Sequence, residues 1–117
     1  MPAIISAIED NRPAVAVLCR RFGVRKLELF GSAATGEFDS DRSDLDFLVE
    51  FPPEYDFGPW MSRWQDFEGE LSTLFKRPVD LVRESALRNP WFRREANKTR
   101  TVIYDASKDA EVASRRS

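Results

Sequence analysis

The chain contains no histidine and only one cysteine among its 117 residues. Without imidazole there is no Ser-His-Asp or Cys-His catalysis and no histidine-based metal site. A single thiol excludes intrachain disulfides and cysteine-rich zinc sites, and Cys19, within AVAVLCRRF, reads as a buried helix thiol rather than a nucleophile. There is no run of 18 or more apolar residues, and no charged-then-apolar leader with a small-residue cleavage site. The expectation is a cytoplasmic chain with no membrane partner. The formal charge of -2 gives no overall attraction to polyanions, so no direct nucleic-acid binding is expected. Carboxylates are left to carry the chemistry.

What is present reads as alternating helices and strands. The length suits one compact domain over residues 1–105, followed by a flexible polar tail over 106–117, ASKDAEVASRRS. Residues 2–8 suggest a short helix. A longer one is expected from Asn11, with Pro13 in its first turn, Val15, Leu18, Cys19 and Phe22 facing inward, and Gly23 ending it. VRKLELF (24–30) alternates apolar with charged as a half-buried strand does. DLDFLVEF (44–51) is a second strand, stopped by Pro52 and Pro53. Trp60, Trp64, Phe67, Leu71, Leu74 and Phe75 share one face of a helix, where core packing explains them. RPVDLV (77–82) is a third strand and RTVIYDA a last one, with Asn89-Pro90 capping the helix between them.

The second strand raises a chemical question, since aspartate is depleted inside strands and costly near a core without a partner. Side chains alternate across a strand, so Asp44 and Asp46 share one face, roughly 6 to 7 Å apart, with Leu45, Phe47 and Val49 on the other. Asp80 stands alone among apolar residues in VDLV and joins the first two if its strand pairs with 44–51. Two like charges about 5 Å apart repel by roughly 3 kcal/mol at an effective dielectric of 20. A hard cation reverses that sign. Oxygen ligands alone suit magnesium or manganese, which leave positions for substrate phosphates, and phosphoryl or nucleotidyl transfer is the natural reaction class. Gly31-Ser32, directly after the first strand, adds a sharp turn, a close approach for phosphate, and a hydroxyl.

Gly31, Ser32, Gly36, the Asp44-x-Asp46 pair after an 11-residue spacer, and Asp80 on a later strand together resemble the minimal nucleotidyltransferases of the polymerase-beta-like superfamily, the MNT family. The resemblance covers residues 27–50 and 79–82, and the order of elements agrees over 11–104. It implies an α/β (α+β) polymerase-beta-like nucleotidyltransferase fold, a small mixed β-sheet flanked by helices. It further implies transfer of a nucleoside monophosphate, AMP from ATP, to a hydroxyl of a partner protein, with the chain serving as antitoxin of a HEPN-type RNase toxin. Asp44, Asp46 and Asp80 would be the catalytic, metal-binding residues for two magnesium ions. Gly31 and Ser32 would bind the nucleotide, and Arg42 is a candidate to assist them. Two other functions stay open: an antitoxin that neutralises by binding alone, and a standalone small-molecule nucleotidyltransferase.

DSDRSDLDFLVE also has the spacing of an EF-hand, but the position that requires glycine for its turn holds Asp44, and the flanks read as strands. Asp39 and Asp41 are ordinary turn residues. Arg88, Arg93, Arg94, Lys98 and Arg100 could steer a triphosphate, although a solvated face suits most of them. Trp91, Phe92 and the Tyr55-Asp56-Phe57 loop are candidates for docking a partner.

Overall fold

A computed structural model describes residues 8–31 and 45–108. Helix α1 (Arg12–Phe22) begins after Asn11, with proline in its first turn, and buries Val15, Leu18, Cys19 and Phe22. It ends where expected. Gly23 takes a left-handed φ of 74°, and the N–H of Val24 returns to the Cys19 carbonyl at 2.9 Å. Of the expected helix over 2–8, only Ile8 lies within the described residues; it is helical and buried.

Strands β1 (Lys26–Phe30), β2 (Leu45–Glu50), β3 (Val79–Arg83) and β4 (Thr101–Asp105) form one sheet in the order β3-β2-β1-β4. β1 runs antiparallel to both β2 and β4, whereas β2 and β3 are parallel. A parallel pair needs a crossover, which helix α2 (Ser62–Phe75) supplies. The sheet is therefore mixed, as the sequence implied. Leu27, Leu29, Leu45, Phe47, Val49 and Leu81 meet α1 and the Phe67-Leu71-Phe75 stripe of α2 in a continuous core.

Trp60 departs from the expected stripe. It sits in a 3-10 turn (Pro59–Met61) before α2, with φ at 56°, and is 92% exposed. Gly58 and Met61 also take positive φ, so the helical register begins only at Ser62 and the periodicity does not extend back to the tryptophan.

The opposite face of the sheet is covered differently. Helix α3 (Pro90–Asn97) starts at Asn89, whose side chain accepts hydrogen bonds from the backbone N–H groups of Trp91 and Phe92. It packs Phe92 edge-on against Phe30 of β1, with ring centroids 5.7 Å apart. Residues 106–108 form a helical turn with Ala106 against the core, and the rest of the expected tail lies outside the described residues. Among the described residues no helix is long and apolar enough to cross a membrane.

Candidate active site

The site grows out of strand register. Phe30 pairs with Asp46 across the antiparallel β1–β2 ladder, and Asp46 pairs with Asp80 across the parallel β2–β3 ladder. Paired residues share a face, so Phe30, Asp46 and Asp80 form one cross-strand row, with neighbouring strands about 4.8 Å apart. The row faces away from the main core because Leu45 and Phe47, on either side of Asp46, are fully buried. Asp46 is half-buried on an inner strand and Asp80 exposed on an edge strand. The Leu45 N–H also donates to the Pro78 carbonyl at 3.1 Å, locking the entries of the two strands together.

Gly31 closes the row from the β1 side. Its φ is +81°, and a Cβ placed there would stand 2.9 Å from Asp46 Oδ2, closer than side-chain carbons tolerate. Only glycine lets the backbone turn beside that carboxylate. Its N–H donates to Thr99 Oγ1 at 2.9 Å. Of the residues expected at the site, Gly31, Asp46 and Asp80 are thus brought together. Ser32, Gly36, Arg42 and Asp44 lie outside the described residues, as do Asp39 and Asp41. Among the described residues no group of three or more acidic, histidine or cysteine side chains gathers for a metal.

The expected cations divide. Arg100 is not on a solvated face: its Nε and Nη2 donate to the two carboxylate oxygens of Glu28, each at 2.8 Å, and Nη1 donates to Asn97 Oδ1 at 2.8 Å. Lys98 pairs with Glu95 at 2.6 Å, on the same helical edge. Arg88, Arg93 and Arg94 are exposed. The docking candidates divide as well. Trp91 is 64% exposed, but Tyr55 and Phe57 pack against Phe51, tilted and edge-on, at centroid distances of 4.6 and 4.9 Å. The Tyr55 hydroxyl is held further by donating to the Phe22 carbonyl and accepting from Arg63 Nε at 2.6 Å. Those two rings gather around Phe51, which packs against the core. A cavity of about 370 Å³ beside them, lined by Phe51, Tyr55, Phe57 and Arg83 among others, lies at the end of β2 and β3 remote from Asp46 and Asp80.

Cys19 is fully buried, and burial pushes its thiol up to about 12, which keeps it protonated and unreactive. Sequence reasoning missed two features, the Glu28–Arg100 pair and the Thr99 contact. The lone glutamate in KLELF was the available signal for the first; no sequence signal pointed to the second.

Asp46 and Asp80 thus stand in register at the starts of adjacent strands, beside a glycine turn. Residues 13–104 match the nucleotidyltransferase domain family, and the chain belongs to it. It is 34% identical over 101 residues to a provisionally named protein adenylyltransferase of Methanocaldococcus jannaschii, covering 86% of this chain and 96% of that protein. It is also 39% identical over 72 residues to protein adenylyltransferase MntA of Thermococcus cleftensis, covering 62% and 68% of the two chains. Among solved structures, a provisionally named minimal nucleotidyltransferase superposes with a TM-score of 0.67 at 31% identity, over 86% of this chain and 95% of that one. A complex of tri-AMPylated Shewanella oneidensis HEPN toxin with its MNT antitoxin shares the fold, at a TM-score of 0.57 and 19% identity over 90% of this chain and 78% of that one.

Proposed function

We propose that this chain transfers AMP from ATP to a hydroxyl of a partner protein, and that the partner is a HEPN-type RNase toxin which the modification silences. The observation that carries the reading is the register of Asp46 against Asp80 beside Gly31. Aspartates in register on adjacent strands are all-oxygen donors, and Gly31 presents no side chain beside them, so the residues fit a hard divalent cation and a triphosphate. Asp46, Asp80 and Asp44 would hold magnesium, two ions in the full arrangement, which neutralises charge on the triphosphate and on the departing pyrophosphate.

The chain's own residues then have separable tasks. The backbone at Gly31, with Ser32 after it and Arg42 assisting, orients the β- and γ-phosphates. The exposed position of Asp80 lets a macromolecular hydroxyl approach its carboxylate. Asp80 accepts the hydroxyl proton as the oxygen attacks the α-phosphorus. The new P–O bond joins AMP to the acceptor, and the bond to the β-phosphate oxygen breaks with pyrophosphate leaving. The names of the relatives support adenylyl transfer to protein, and the toxin complex supports the kind of partner. Cytoplasmic location follows if the partner is an intracellular RNase.

Incubation with magnesium, ATP and a HEPN-type partner protein tests the reading by intact mass. The partner should gain one or more AMP units, and free tyrosine or aminoglycosides should gain none. A partner that is fully inhibited at equal stoichiometry yet unchanged in mass would make the chain an antitoxin by binding alone. Efficient turnover of a small hydroxyl compound would make it a standalone small-molecule enzyme.

A further inference from the structure

We infer that Thr99 is a positioning residue for nucleotide binding: its hydroxyl fixes the backbone of Gly31, the wall of the site that lies against Asp46. This rests on the adenylyl-transfer reading above. Glycine at position 31 has two opposed consequences. The missing Cβ admits Asp46 Oδ2 and permits a φ of +81°. The same absence leaves the backbone with the widest conformational choice of any residue, so its own stereochemistry does not hold the turn. A restraint must come from elsewhere in the fold. The Gly31 N–H donates to Thr99 Oγ1 at 2.9 Å, a contact between residues 68 apart in sequence.

Thr99 is itself anchored. Its N–H and that of Arg100 both donate to the Ala96 carbonyl, at 3.0 and 2.9 Å, and Ala96 is buried under the last turn of α3. The Thr99 carbonyl accepts from Thr101 Oγ1 at 3.2 Å. The next residue, Arg100, is clamped to Glu28 by two hydrogen bonds of 2.8 Å, and Glu28 lies on β1, the strand that ends just before Gly31. The hydroxyl is therefore delivered to the turn from a segment already tied to the same strand. Branching at Cβ narrows its rotamer choice further.

Thr99→Val keeps the shape and removes the acceptor, whereas Thr99→Ser keeps the acceptor and loses a methyl. Transfer to the partner would be measured with magnesium and ATP at a temperature where wild type and both variants are folded. The valine variant should raise KM for ATP about tenfold, the scale of one lost hydrogen bond whose donor stays part-buried. The serine variant should stay within about twofold of wild type, and the Gly31 amide should exchange faster in the valine variant alone. A wild-type KM in Thr99→Val, or equal impairment in Thr99→Ser, overturns the inference, because a role confined to stability moves Tm and leaves KM in place. A wild type that neither binds ATP nor modifies the partner overturns the adenylyl-transfer reading and this inference with it. An active wild type with an unaffected valine variant removes only the inference.

Discussion

On one face of the sheet Glu28 and Asp46 occupy neighbouring cross-strand rows, Glu28 opposite Leu48 and Asp46 between Phe30 and Asp80. Glu28 is only 6% exposed, and its charge is answered inside the chain by the bidentate Arg100 and by Lys26 Nζ at 3.6 Å. In the Asp46 row a second acid, Asp80, stands in register, and a glycine lies where a side chain would crowd the Asp46 carboxylate. A buried charge that serves the fold is matched by its own partner, because an unmatched one costs several kcal/mol. On the proposed function, the Asp46–Asp80 pair is where a divalent cation would be held, with Asp80 on the exposed edge strand.

The contrast breaks most visibly in activity. Asp80→Asn should lower kcat by roughly 10² to 10⁴, the range for loss of a general base, while its unfolding curve stays close to wild type because Asp80 is exposed. Asp46→Asn should abolish the stabilisation conferred by magnesium and ATP, which follows RT ln(1 + [L]/Kd), and chelation should do the same to wild type. Equal thermal shifts in wild type and Asp46→Asn would remove the metal assignment.

Arg100→Met attacks the other row. It should cost about 2 kcal/mol in a urea titration, the scale of charge-assisted hydrogen bonds to a largely buried carboxylate. It should also alter the acid limb of stability. The hydrogen bonds from Arg100 hold the Glu28 carboxyl below the usual glutamate range. A depressed folded-state pKa gives stability that is fully present above the unfolded value near 4.3 and is lost as pH falls through the folded value. The variant should lack that part of the acid loss, which a comparison of unfolding free energies across the acid range would show.

Gly31→Ala strains the Asp46 row through the backbone. A left-handed φ costs a residue with a Cβ about 1 to 2 kcal/mol, and the new methyl would meet Asp46 Oδ2. Asp46→Ala in the same chain should recover part of the loss, and a double-mutant cycle measures that coupling. The smallest effect concerns Cys19, which should resist thiol reagents in the native state and react only on unfolding, given a pKa of about 12.

The sequence by itself determined the elements and the chemistry available to them. The stop at Gly23, the cap at Asn89, the Phe67-Leu71-Phe75 stripe and the carboxylates as sole candidates follow from local stereochemistry, periodicity and the missing histidine, all of which act within a few residues. Trp60 was misread because periodicity cannot show where left-handed residues interrupt a helix. Only the tertiary structure decided which strand lay beside which, and with it that Asp80 meets Asp46, that Arg100 answers Glu28 and that Thr99 reaches Gly31. Those contacts join residues 34 to 72 positions apart, and pairing across such distances is fixed by burial of the whole sheet against α1 and α2, which no short stretch of sequence encodes.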